Sequence, residues 1–191
     1  MATVIRHLTM NELEMGLQEI GRSPKEAGVL EMIVRRPQVG AREILQQGQL
    51  DLDEGLVGDS WKLRASKRTP DGSPHPEMQL NLMNSRVVDL VSQDRSRWHL
   101  AGDQLFVDFD LSEGNVPAGT RLAIGAAVIE VTAEPHTGCS KFVERFGLDA
   151  MMFVNSRERQ ELHLRGVNAR VVRAGAVRVG DTIVKVQGEG S

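Results

Sequence analysis

A mainly β fold with short helices (α+β), closed as a compact barrel or a sandwich, is what the punctuation of this chain predicts. Three observations carry that expectation. Apolar residues alternate over short runs, as at Leu122 and Ile124, and glycine-centred turns at Gly125, Gly175 and Gly180 bound the runs. The helical patterns are brief and lack the regular strand-helix alternation of a parallel sheet with crossover helices.

The elements follow in order. Thr9-Met10-Asn11-Glu12 has capping-box spacing, and Leu13, Leu17 and Ile20 continue it as one helical stripe with Gly21 as a stop. Ser23 to Gly28 interrupts that stripe, so residues 1–28 read as an N-terminal helical extension, residues 29–186 as the β-barrel domain and residues 187–191 as a flexible tail. Val29 to Val34 reads as a strand ended by Pro37 and Gly40. Gly55-Leu56-Val57-Gly58-Asp59 is a tight loop, and Arg68 to Pro76, rich in proline, is a surface excursion before Gln79 to Leu82. Asn84 caps a short helix through Val87, Val88, Leu90 and Val91, whereas Gln93 to Trp98 is too polar and charged to place. Gln104 to Phe109, Thr120 to Ile124, Ala127 to Thr132, Asn168 to Arg173, Ala176 to Val179 and Thr182 to Val186 are extended. Ala150 to Leu162 reads as a helix with Arg157, Glu158, Arg159 and Glu161 on a solvated face and Met151 and Met152 in packing positions. The dipeptides Gly58-Asp59, Gly102-Asp103 and Gly180-Asp181 read as turn chemistry, aspartate bonding its own backbone.

Composition bounds the function. The 191 residues are 40% hydrophobic and 26% charged, and no run approaches the roughly 20 apolar residues that cross a bilayer. One cysteine excludes an internal disulfide and suits a reducing compartment, so a cytoplasmic location without membrane association is expected. A net charge of −3 argues against non-specific nucleic-acid binding. The charge is uneven: between Cys139 and Val186 nine Lys or Arg face five acids, which favours a small anionic ligand in that half.

The lone thiol is the focus. Phe142, Val143 and Phe146 have helical spacing, Ser140 or Thr137 can cap and Gly147 can stop, which places Cys139 at or just before a helix start. There the free N–H groups, the dipole and Lys141 favour a thiolate that attacks an electrophile, carries a persulfide or ligates a soft metal. A buried, apolar thiol is the competing reading. His136, three residues earlier, is a candidate base or hydrogen-bond partner. The other dense polar stretch is His163-Leu164-Arg165-Gly166-Val167-Asn168, where Arg165 offers a fork for an oxyanion, Gly166 lets backbone approach and Asn168 both donates and accepts.

Cys139-Ser140-Lys141-Phe142 with Phe146-Gly147, then Leu164 to Val172 and Gly175 to Asp181, resembles the MOSC domain, named after the C-terminal domain of molybdenum cofactor sulfurase. Gly55 to Asp59 resembles the family's upstream glycine-aspartate loop, and the likeness runs from about Val29 onward. The resemblance implies a strongly bent β-barrel and a cysteine that binds sulfur or the molybdenum cofactor (molybdopterin). Cys139 is then the metal-coordinating or sulfur-carrying thiol, His136 a catalytic candidate, and Lys141, Arg165, Gly166 and Asn168 the pocket for an anionic pterin or small-molecule substrate. It also implies a role in a molybdenum-dependent reductase of N-hydroxylated compounds, with an electron-transfer or molybdoenzyme partner. Where many relatives place an arginine-histidine pair, this chain has Ser60-Trp61-Lys62. The aminotransferase-like domain of full sulfurases is absent from these residues, so pyridoxal phosphate is not expected. The alternative is a non-catalytic barrel that binds a small anion or a partner protein, with a structural cysteine.

Overall fold

The computed structural model describes residues 6–186, so the expected tail at 187–191 lies outside the described residues. In chain order the elements are α1 (Met10–Met15), α2 (Leu17–Ile20), β1 (Ala27–Arg35), β2 (Glu43–Leu45), β3 (Gln47–Asp51), β4 (Gly55–Leu56), β5 (Leu80–Asn84), α3 (Ser85–Ser92), β6 (Leu105–Asp108), β7 (Arg121–Ile124) and β8 (Ala127–Val131). They continue with α4 (Ser140–Phe146), α5 (Leu148–Val154), β9 (Val167–Arg173), β10 (Gly175–Arg178) and β11 (Thr182–Lys185). Short 3-10 helices cover Ser60–Leu63, Pro76–Met78, Arg95–Ala101 and Arg157–Leu162.

Seven strands close into a barrel in the order β11, β7, β8, β9, β5, β6, β1, with β1 returning to β11. Closure leaves the ring without a free edge, β2 extends it beside β1, and β10, β3 and β4 form a separate small sheet. The bend is plainest in β1, which pairs β11 through Ala27 to Val29, β6 through Val29 to Ile33, and β2 through Ile33 to Arg35. Between Leu30 and Met32 its register with β6 shifts. That bulge changes the phase of alternation, so Leu30 and Ile33 both enter the barrel core while Met32 and Val34 face the second core outside.

Two cores result. The barrel interior holds Leu82, Leu105, Ile129, Val177 and their neighbours, and the second lies between the helices and the outer face of β1, β5 and β6. On β6, Leu105 and Val107 point inward and Phe106 outward, where it meets Trp98 at a ring separation of 6.1 Å. Strands buried on both faces read as near-continuous apolar runs, as Val29 to Val34 does. The N-terminal helices belong to this second core, through Leu13, Leu17 and Ile20.

β5 and β6 are parallel, whereas the other barrel pairs are antiparallel. A parallel pair needs a long crossover, here α3 and the 3-10 helix Arg95–Ala101, and that crossover delivers Gly102-Asp103 to the mouth of β6.

Several expected elements differ. The N-terminal stripe breaks at Gly16, a poor helix former that ends α1 and begins α2. The unplaced Gln93 to Trp98 run becomes 3-10 helix because Asp94 caps it, accepting from Ser96 N at 2.8 Å. The expected helix from Ala150 to Leu162 stops at Val154, since Asn155 turns away to bond Gly138, and Met152 is exposed rather than packed. Within the glycine-held loop, Gly55 and Leu56 pair with β3.

Gly28 lies where β1 leaves β11 for β6, and a Cβ there would stand 2.2 Å from Asp108 O and 2.8 Å from the Phe109 ring. Gly28→Ala is therefore expected to destabilise the protein by about 3 kcal/mol in urea denaturation, in the upper range of overpacking costs. Gly114→Ala, with nothing within 4 Å of its Cβ position, is expected to be near neutral.

Candidate functional site

The crossover ends in Leu100-Ala101-Gly102-Asp103, and arginines from four parts of the chain converge on it. Arg145 Nη1 donates to Leu100 O at 2.6 Å, Arg165 Nη2 to Ala101 O at 3.0 Å and Arg36 Nη1 to Gly102 O at 2.9 Å. Arg42 Nη2 lies 3.7 Å from the position a Gly102 Cβ would take. These carbonyls close the 3-10 helix Arg95–Ala101, where partial negative charge gathers and cations are favoured.

Asp103 is fully buried between two cationic or titratable partners: Arg165 Nη1 donates to Oδ2 at 2.7 Å, and His136 Nε2 meets Oδ1 at 2.7 Å. Burial pushes the Asp103 carboxyl up, but Arg165 and His136 outweigh it and hold it below the usual carboxylate range. Burial first, then Arg165, pushes His136 down against the pull of Asp103, so the ring is held neutral. With the carboxylate as acceptor, the proton sits on Nε2 and Nδ1 is left as an acceptor. Beside this cluster Arg36 forks onto Asp59, Nε to Oδ2 and Nη2 to Oδ1 both at 2.9 Å, with both side chains buried.

The loop that leads to the thiol is held by two asparagines. Asn168 is fully buried; its Nδ2 donates to Glu134 O at 3.0 Å and Pro135 O at 3.2 Å, and its Oδ1 accepts from Asn81 at 2.6 Å. Asn155 accepts from Gly138 N at 2.8 Å and donates to Gly138 O at 3.2 Å. The next residue, Cys139, occupies the N-cap of α4 with its side chain exposed.

A cleft of about 330 Å³ is lined by His136, Thr137, Asn155, His163, Arg165 and Gly166 among others. The candidate residues divide around it. His136 and Arg165 share Asp103 and line the cleft; Gly166 lines it too; Asn168 lies behind it as a tether; Cys139, two positions beyond the last lining residue of its loop, Thr137, and Lys141 on α4 are exposed and outside the lining. Gly166 has φ +108°, and a Cβ on it would fall 2.0 Å from Leu82 O, so strand β5 itself requires glycine there, whatever a ligand needs. The cap of α4 is Cys139 rather than Ser140 or Thr137, and its side chain makes no capping bond.

Sequence reasoning missed Asp103, Asp59, Arg36, Arg42 and Asn155. The turn reading holds at Asp181, which accepts from Arg178 N at 2.7 Å, and at Asp59, which accepts from Trp61 N at 3.0 Å. Asp59 and Asp103 also anchor buried guanidiniums, which local spacing does not reveal. The available signal was arginine in apolar surroundings, as in Ile33-Val34-Arg35-Arg36-Pro37.

Asp103→Asn leaves Arg165 and His136 without their shared countercharge, and urea denaturation at pH 7 is expected to show a loss of about 3–5 kcal/mol. The pH dependence follows from the two depressed pKa values. The unfolded chain takes up a proton at its free histidine near pH 6.5 while folded His136 resists it, so stability is full above about 6.5 and falls as pH drops. Asp103 adds a second loss below about pH 4, as pH falls through its folded pKa. The urea midpoint of the wild type should therefore fall between pH 7 and 5, and His136→Gln should flatten that slope, leaving the share of His99, also held low chiefly by burial. An unchanged slope in the variant would remove His136 as its source.

Comparison with known proteins agrees with this architecture. The family described as MOSC domain matches residues 72–184, a span that contains Asp103, His136, Cys139 and Arg165. Among solved structures, the chain is similar to the YUAD protein from Bacillus subtilis, with a TM-score of 0.56 and 18% identity over 84% of this chain and 97% of that one. It is also similar to YiiM from Geobacillus stearothermophilus, at TM-score 0.55 and 15% identity over 85% of this chain and 77% of that one. YiiM from Escherichia coli gives TM-score 0.52 and 18% identity over 85% and 72%. At such identities the likeness concerns the fold alone. No curated protein sequence matches. The family match covers more than half of the chain and agrees with its closed, bent barrel: this chain belongs to the MOSC domain family.

Proposed function

We propose that this domain holds the molybdenum cofactor, or carries sulfur, through Cys139. One observation carries the reading: the thiol occupies a position where it does nothing for the fold. At an N-cap, Ser, Thr, Asp or Asn satisfies a free N–H, yet Cys139 makes no such bond and is exposed. Packing is therefore not its role, whereas sulfur chemistry at an accessible, backbone-pinned site is.

The residues suit an anionic, soft-metal group. A thiolate is a soft donor, guanidiniums outnumber carboxylates around Asp103, and buried Nε atoms of Arg165 and Arg42 have no partner. Cys139 would hold the metal or a terminal sulfur, and His136, oriented by Asp103, presents Nδ1 as a hydrogen-bond acceptor for bound substrate. Arg165 and Lys141 add positive potential, while Asn168 and Gly166 fix the backbone that shapes the pocket. The metal supplies the redox chemistry when bound. A reductase of N-hydroxylated compounds that draws electrons from a protein partner fits this arrangement, as does a reducing, cytoplasmic compartment for the thiol. No helix of the described residues is long and apolar enough to cross a membrane.

The test uses one substitution with two opposed readouts. Cys139→Ser restores a capping side chain and is expected to leave stability equal or raised by up to about 1 kcal/mol. After anaerobic purification the same variant should hold at least tenfold less molybdenum than the wild type, or lack a persulfide that mass measurement finds on the wild-type Cys139 peptide. Equal molybdenum and pterin in both proteins, with no persulfide on either, would remove the proposed role.

A further inference from the structure

We propose that His75, Glu77 and Glu134 form a binding site for a divalent transition ion of the zinc type, which clamps the segment leading to Cys139. The site is separate from the thiol and goes beyond the reading above: neither molybdenum nor sulfur enters it.

Among the described residues these three bring ligand atoms within 4.8 Å of one another, and all three are partly buried. One imidazole with two carboxylates is a mixed nitrogen and oxygen donor set, which suits zinc better than calcium or magnesium. His75 caps the 3-10 turn Pro76–Met78 ahead of β5 and Glu77 lies in that turn, while Glu134 begins the segment Glu134-Pro135-His136 that runs into the cysteine loop.

Two carboxylates meet there with one guanidinium between them. Arg68 donates to Glu134 Oε2, and the Glu77 carboxylate has no hydrogen-bond or ion-pair partner among the described residues. The other oxygen of Glu134, Oε1, faces His75 Nε2 at 3.7 Å, too far for a hydrogen bond. That gap is close to what a shared ion requires, because zinc bonds of about 2.0 to 2.2 Å place neighbouring ligand atoms about 3.4 Å apart. The free Glu77 side chain can rotate to complete the set. Arg68 then takes the oxygen that the ion leaves, the supporting part usual beside a ligating carboxylate.

The backbone holds the ligands in place without an ion. Thr132 Oγ1 donates to Glu77 O at 2.6 Å, Asn168 Nδ2 to Glu134 O at 3.0 Å, and Thr132 N to Asn168 O at 2.9 Å. Both glutamates are thus tied to one linked pair of residues, and Pro76 stiffens the step between His75 and Glu77. His75 Nδ1 accepts from Glu77 N at 3.3 Å, so the neutral ring carries its proton on Nε2. Binding at Nε2 moves that proton to Nδ1 and gives up this long bond, with no net change in protons. Three protein ligands leave a fourth position for water.

Calorimetric titration of metal-free Cys139→Ser protein with zinc chloride tests the assignment, the substitution removing the thiol as a competing ligand. A single zinc ion per chain is expected, with magnesium at least tenfold weaker. In the same background, Glu77→Gln and His75→Asn, whose amide keeps a capping oxygen, should each weaken zinc at least tenfold. Glu113→Gln, which alters the His163–Glu113 pair at 3.3 Å, should leave it within twofold. Zinc should also raise the urea midpoint of the Cys139→Ser protein and leave that of the His75→Asn variant unchanged. No zinc binding, equal affinity in the His75 and Glu77 variants, a loss confined to Glu113→Gln, or magnesium as strong as zinc would overturn the proposal.

Discussion

A fully buried carboxylate cannot remain charged alone, and the arrangement around Asp103 is the answer to that constraint. Its two oxygens are taken by groups that come from distant places, Arg165 ahead of β9 and His136 ahead of α4. Because each partner must reach the same point, the backbone segments carrying them are fixed with respect to the crossover between β5 and β6. The cleft, the orientation of the imidazole and the start of the cysteine loop follow from that one demand. Buried ion pairs gain little net free energy over apolar packing, so the consequence of this one is position.

The convergence of arginines on Leu100 to Gly102 has a second effect. Carbonyls at a helix end attract cations, yet each guanidinium that answers them brings a full charge against a partial one. Asp59 and Asp103 match only part of the total. The fold therefore carries a local positive excess as a by-product of how it closes its crossover. Beside it the cysteine loop shows a division of labour: Asn155 and Asn168 bind backbone, so the side chain at position 139 is left without structural duties.

Much of this was legible in the sequence where the cause is local. The capping box at Thr9, the Asn84 cap, the strands around Gly125 and the helix from Ser140 to Phe146 all rest on neighbours a few residues apart. The β-rich class followed from the same signals, and the closed barrel from resemblance. What stayed hidden depends on distant partners. The bulge in β1 exchanges the facing of Met32 and Ile33 because β6 shifts against it, and no alternation rule within β1 shows that. β2 and β3 are short and carry Glu43, Gln47, Gln49 and Asp51, so they lack the apolar rhythm of a strand. At the site, Cys139, His136 and Arg165 stood out by residue type. Asp59 and Asp103 looked like turn residues because the local Gly-Asp pattern is identical whether or not a guanidinium waits across the fold.

The parallel pairing of β5 with β6 also orders events during folding. Asp103 lies 33 positions before His136 and 62 before Arg165, and the crossover must already be in place for the three to meet. Non-local, parallel pairing forms slowly relative to hairpins such as β7 with β8. Until β9 docks against β5, Asp103 has no guanidinium and keeps its hydration. Desolvation of that carboxylate is thus tied to the arrival of Arg165 with β9, and in a chain emerging from synthesis every member of the charged mouth precedes β11, the strand that closes the ring.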